Sequence, residues 1–120
     1  MRILIADDNA LVRTSIAEFL GDNGWEVCGE ASNGTEAIQQ VRTLRPDVVL
    51  LDISMPGSNG LEVAASLRRE LPTLKIVIIS QNDFDQLLPD TPRELADAFV
   101  DKLRLGTDLL PVISKLLVKE

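Results

Sequence analysis

The sequence predicts a doubly wound α/β domain on a five-stranded parallel sheet, and three observations carry that prediction. Short apolar runs recur at residues 3–6, 27–29, 48–51, 76–79 and 98–100. Segments of helical period separate them. The runs at 48–51 and 76–79 are apolar without alternation, the pattern of central parallel strands covered on both faces. Strands and helices alternating in this way wind into a parallel sheet flanked by helices.

Each helix is marked by one apolar face and by its boundary residues. Val12, Ile16, Phe19 and Leu20 share a face before Gly21 and Gly24. Ile38, Val41 and Leu44 or Arg45 mark a second helix between Gly34 and Pro46. Leu61, Ala64, Leu67 and Leu71 mark a third between Gly60 and Pro72. The last helix is expected to start with Thr107 as N-cap and to tolerate Pro111 near its first turn. Between Ser80 and Ala98 the rhythm fails, because Pro89 and Pro92 interrupt it. There Thr91-Pro92-Arg93-Glu94 reads as N-cap, proline at the first helical position and capping-box glutamate. The prediction is a long loop over 81–90 and an atypical, shortened fourth helix of a turn or two.

Composition narrows the class. The 120 residues read as one domain, 1–120, with 45% hydrophobic and 26% charged residues. A net charge of −7 repels a nucleic-acid backbone, so a DNA-directed role would act through another domain or partner. The first apolar run is cut short by two aspartates, which excludes a signal h-region. No run approaches the ~20 apolar residues of a membrane helix. The single cysteine, Cys28, lies in an apolar-alternating segment and is expected to be a buried packing residue of a cytoplasmic protein. With no histidine, imidazole catalysis, imidazole ligands and an internal phosphohistidine relay are all excluded.

The chemistry concentrates where the predicted strands end. Asp7 and Asp8 follow the first run, Asp52 the third, Ser80 the fourth and Lys102 the fifth. Taken singly, each has an ordinary reading. Asp8 or Asn9 caps a helix, Asp52 is a turn aspartate, Ser80 starts a loop, and Lys102 is a solvated lysine. Taken together, they share the edge at which open α/β sheets bind ligands. Two carboxylates about 5 Å apart repel by ~3 kcal/mol at an effective dielectric near 20. Such a cluster calls for a cation or a proton. Oxygen ligands around a small open site favour Mg²⁺. An acceptor carboxylate at Asp52, with metal, the Lys102 ammonium and the Ser80 hydroxyl around it, holds the parts phosphoryl transfer needs.

From end to end the chain resembles the receiver domain of two-component response regulators. The matching residues are Asp7-Asp8, Asp52-Ile53-Ser54-Met55-Pro56 with Gly60, Ser80, and Phe99-Val100-Asp101-Lys102. The resemblance implies a flavodoxin-like strand order of 2-1-3-4-5. It implies phosphorylation of Asp52 by a sensor histidine kinase, with Mg²⁺ held by Asp8, Asp52 and the backbone carbonyl of Ser54, and Asp7 helping through water. Phe99 would be an aromatic switch residue coupled to Ser80, although a plain core aromatic is the ordinary reading. Ser54, Gln81 and Asn82 would tune how fast water removes the phosphoryl group. The domain would assist its own phosphorylation and dephosphorylation without being an enzyme for an external substrate. A homodimer through residues 83–117 is the further expectation, with no nucleic acid or membrane bound by the domain itself.

Departures from the family fall in one stretch. Gln81 replaces a small residue, Leu103 replaces a proline, and Glu94-Leu95-Ala96 replaces an Ala-Gly-Ala turn. These changes leave the acceptor chemistry intact and predict a face that pairs differently from the usual receiver dimer. They also keep open a pseudo-receiver, a phosphorylation-independent interaction module. An aspartyl-phosphate hydrolase usually spaces its two aspartates one residue apart, unlike Asp7-Asp8. A flavin carrier is disfavoured by one tryptophan and no tyrosine. Asp52-Ile53-Ser54-Met55-Pro56-Gly57 resembles receivers of the NarL/LuxR type, which often precede a helix-turn-helix domain. Control of transcription would then act through an output domain outside residues 1–120.

Overall fold

Every predicted apolar run forms a strand, and the strands align in parallel. The computed structural model describes residues 2–55, 59–80 and 95–117. The chain runs β1 (Arg2–Ala6), α1 (Ala10–Asp22), β2 (Glu26–Ala31), α2 (Gly34–Leu44), β3 (Val48–Asp52), α3 (Gly60–Glu70), β4 (Lys75–Ser80) and β5 (Ala98–Asp101). A 3-10 turn over Lys102–Arg104 then feeds α4, Leu105–Leu117. Strand order is β2-β1-β3-β4-β5, the flavodoxin-like arrangement expected from the sequence. The loop over 81–90 and the shortened helix predicted after it fall on 81–94, outside the described residues.

The alternating direction of side chains along β1, β3 and β4 splits the core into two layers. Leu4, Ala6, Val49, Leu51, Ile76 and Ile78 face α2 and α3, meeting Val41, Ala64 and Leu67. Ile3, Ile5, Val48, Leu50, Val77 and Ile79 face α1 and α4, meeting Ile16, Leu20, Leu109 and Ile113. All twelve of those strand residues are fully buried, as uninterrupted apolar runs require. At about 1.5–3 kcal/mol for each large aliphatic side chain, these layers dominate the stability of the fold.

Asparagine begins three of the helices. Asn9 accepts from the N–H groups of Leu11 and Val12, Asn33 from Glu36, and Asn59 from Leu61 and Glu62. At α2 the Glu36 carboxylate also reaches back to Ser32, accepting from its N–H and its hydroxyl at 2.7 Å each. Gly60 opens α3 because nothing larger fits. A Cβ there would lie 2.3 Å from the Ile53 Cα, so the helix start could not approach the end of β3.

Two expectations need correction. Thr107 does not cap the last helix, which begins at Leu105 as a continuation of the 3-10 turn. The Asp101 carboxylate caps that turn by accepting from Leu103 N–H at 2.9 Å, and Thr107 instead donates its hydroxyl to Arg104 O at 3.2 Å. Pro111 therefore falls inside α4, where its missing N–H leaves the Thr107 carbonyl without its usual helical donor. Cys28 is half-buried rather than buried, because β2 is an edge strand and Cys28 occupies a register shift opposite Ile3 and Leu4. Burial still pushes its thiol above the ordinary range, which suits a packing role.

Candidate functional site: an acid cluster at the switch point of the sheet

β1 and β3 are neighbours whose connections leave in opposite directions, toward β2 and toward β4. Their carboxyl ends flank the crevice where such sheets bind ligands. Ala6 is in register with Leu51, so the residues that follow, Asp7 and Asp52, emerge side by side. Asp52 pairs with Ile79, which sets Ser80 one step further along the same rim. Ser80 pairs with Asp101, and Lys102 follows it.

The three aspartates converge. Asp7, Asp8 and Asp52 each present a carboxylate oxygen, and these oxygens lie within 4.8 Å of one another. Asp7 and Asp52 are fully buried, and Asp8 is exposed. Helix capping falls to Asn9, which leaves Asp8 out of that role. Asp7 Oδ1 accepts from Asn9 N–H at 2.8 Å, and Asp52 Oδ1 accepts from Ser54 N–H at 2.9 Å. Lys102 Nζ reaches the other oxygens of both buried acids. It donates to Asp52 Oδ2 at 3.0 Å and forms an ion pair with Asp7 Oδ2 at 2.7 Å.

Burial pushes the Asp52 carboxyl above the usual carboxylate range. The Ser54 N–H and the Lys102 ammonium pull it down, and the Asp7 charge adds to the rise. For Lys102, burial alone would favour the neutral amine. The Asp7 and Asp52 carboxylates outweigh that effect and hold its pKa above the ordinary lysine value. Among the described residues, one ammonium thus pairs with two of the three clustered carboxylates, which leaves the cluster with surplus negative charge. An oxygen-only donor set with surplus negative charge fits a hard divalent cation such as Mg²⁺.

The remaining expected residues divide into four groups. Ser80 is fully buried at the end of β4, beside the cluster in register. Phe99 is half-buried on β5 and packs against the layer under α2 and α3. Ser54 lies exposed in the turn after Asp52. Gln81 and Asn82 are outside the described residues, as is the 83–94 portion of the region expected to pair.

Sequence reasoning missed Arg13. Its Nη1 donates to the Asp7 carbonyl oxygen at 2.6 Å, and its Nε donates to Glu30 Oε1 at 3.0 Å. The available signal was a cation one helical turn beyond the cap that follows an acidic pair. Beside the cluster, a cleft of about 480 Å³ runs between α1 and α4. Asn9 and Lys102 line it, together with Leu11 and Leu103, which are 79% and 84% exposed.

Known proteins are similar in sequence and in fold. The response regulator GacA of Pseudomonas viridiflava is 44% identical over 81 residues, covering 67% of this chain and 38% of its own length. The chain thus spans well under half of that relative. The chemotaxis protein CheY of Listeria monocytogenes is 34% identical over 115 residues, covering 96% of this chain and 97% of CheY. The solved structure of the response regulator TrrA from Thermotoga maritima, in complex with Mg²⁺-BeF, superposes with a TM-score of 0.88 at 34% identity. That match covers 97% of this chain and 98% of TrrA. The sequence profile of the response regulator receiver domain matches residues 3–113, and the chain belongs to that family.

Proposed function

We propose that the chain is a phosphoacceptor, taking a phosphoryl group onto Asp52 from a sensor histidine kinase in a Mg²⁺-dependent reaction. One observation carries the reading. Three carboxylates lie within 4.8 Å of one another, and the same lysine meets the two that are buried. That cluster stores charge repulsion which a divalent cation would relieve, and the bound cation would then draw in an anionic phosphoryl group. The likeness to TrrA, whose structure holds Mg²⁺-BeF, adds support.

Asp8, Asp52 and the Ser54 carbonyl would hold the metal, with Asp7 acting through water. When bound, Mg²⁺ would neutralise charge on the phosphoryl oxygens. The chain's own groups do the rest. A carboxylate oxygen of Asp52 attacks phosphorus, the P–N bond of the phosphohistidine breaks, and the imidazole leaves. Lys102, held charged by its two acids, offers its ammonium to the transferred oxygens. Ser80 offers a hydroxyl donor at the same rim. Water attacking the acyl phosphate later returns Asp52 and inorganic phosphate. Ser54, Gln81 and Asn82 tune that step.

The modified Asp52 gains about one negative charge, which favours any backbone arrangement that brings Ser80 and Lys102 closer. Phe99, on the strand that leads into Lys102, is the residue we assign to follow that shift. The cleft between α1 and α4, with Leu11 and Leu103 exposed beside Lys102, supports approach of the kinase there. Homodimerisation through residues 83–117, a cytoplasmic location, a single domain over residues 1–120 and control of transcription through a separate output domain belong to the same proposal.

Acetyl phosphate with Mg²⁺ tests the reading by mass spectrometry. The wild type should gain one phosphoryl mass, and Asp52→Ala should gain none. A wild type that stays unmodified by acetyl phosphate and by kinases would leave the interaction-module reading in its place.

A further inference from the structure

Arg13 is the fourth residue of α1, one turn past the Asn9 cap, and its N–H donates to Asn9 O at 3.1 Å. Helical side chains lean toward the N-terminus, and here the guanidinium folds back onto the loop that carries the acids. Its Nη1 meets the Asp7 carbonyl at 2.6 Å, and its Nε meets Glu30 on β2 at 3.0 Å. The side chain is only 18% exposed. The carbonyl it grips belongs to the planar peptide joining Asp7 to Asp8. The N–H of Asp7 is already bonded to Ala31 O at 3.0 Å, and its Oδ1 to the N–H of Asn9. Arg13 adds the constraint that orients the peptide leading into Asp8. Asp8 is the exposed acid of the three, and the peptide leading into it sets where its Cα, and so the reach of its carboxylate, lies.

We propose that Arg13 is a positioning residue for the divalent-cation site. Its guanidinium fixes the Asp7–Asp8 peptide and so sets Asp8 against Asp7 and Asp52, while Glu30 holds the guanidinium in place. The proposal rests on reading the acid cluster as a Mg²⁺ site.

Two physical effects of Arg13 have opposite signs, which makes the test sharp. As a positive charge near the acids, Arg13 repels an incoming cation, so its removal would tighten binding by field alone. As a support for a ligand, its removal should weaken binding by about tenfold or more. Calorimetric titration of Mg²⁺ into the full chain separates them, with urea unfolding in EDTA recorded alongside. Arg13→Ala should bind Mg²⁺ about tenfold more weakly than the wild type. Arg13→Lys keeps the charge but loses the two-sided grip, and should fall between. Equal or tighter binding by Arg13→Ala, with wild-type binding normal, overturns the proposal. If Arg13→Ala does not fold, Arg13→Lys decides, and an affinity equal to the wild type overturns it. A wild type that takes up no Mg²⁺ removes the site reading itself, and the proposal with it.

Discussion

The two rims of this sheet use aspartate in opposite ways. At the amino end, Asp47 accepts from Arg2 N–H at 2.8 Å, and its own N–H donates to Arg2 O at 2.8 Å. Asp97 accepts from Ile76 N–H at 2.8 Å and from the Arg68 guanidinium at 2.7 Å. Arg68 also donates to the Leu74 carbonyl at 2.9 Å, which ties α3, β4 and β5 together. Asp97 thus has a cation to match its charge, and the exposed Asp47 is held by a backbone N–H. At the carboxyl end, three acids converge and the two buried ones share one lysine. The same residue type therefore closes the fold at one rim and, among the described residues, holds surplus negative charge at the other. Such a charge costs stability, and it makes the rim responsive to cations and phosphoryl groups.

Removing one member of an ion pair at each rim should expose the contrast most strongly. Lys102→Met strips two buried carboxylates of their counter-charge, and we expect a loss of about 3 kcal/mol in metal-free urea unfolding. Mg²⁺ should recover much of that loss, because the cluster is then more negative and binds the ion more tightly. Asp97→Ala should cost about 2 kcal/mol by leaving the Arg68 Nη2 and the Ile76 N–H without their acceptor. That loss should be the same with and without Mg²⁺. Equal Mg²⁺ responses in the two variants would erase the distinction between the rims.

The functional rim was the more legible of the two. Its acids follow directly on apolar runs, so once residues 48–51 read as a buried strand, Asp52 had to stand at a strand end. The helix faces were legible for the same reason, since Ile16 and Leu20, or Ala64 and Leu67, repeat at helical spacing and are buried. What escaped was long-range. Arg68 and Asp97 are 29 positions apart, and Arg13 and Glu30 are 17 apart, so no local pattern announces either pair. The start of α4 escaped through competition. Thr107 and Asp101 are both good caps, and the turn at Lys102–Arg104 let the earlier one win.

Two smaller effects sharpen the comparison at Asp52 alone. Asp52→Asn keeps the acceptor for Ser54 N–H and removes one of the crowded charges. In metal-free buffer at neutral pH the variant should be more stable than the wild type by about 1 kcal/mol, and it should lose most of the Mg²⁺-induced gain. The advantage should also depend on pH in a definite direction. The folded-state pKa of Asp52 is raised, chiefly by burial, so the folded chain holds that proton more tightly than the unfolded chain does. Its stabilising contribution is full below the unfolded value of about 4 and is lost as pH rises through the raised folded value. The gap between Asp52→Asn and the wild type should therefore be widest near neutrality. It should narrow as pH falls through the raised value and close near pH ~4, where the carboxylic acid and the amide are both neutral. Paired urea titrations across that range read the gap directly. A gap that widened toward acid would mean that the amide loses more than a charge, with the Lys102 contact stabilising Asp52 more than burial penalises it.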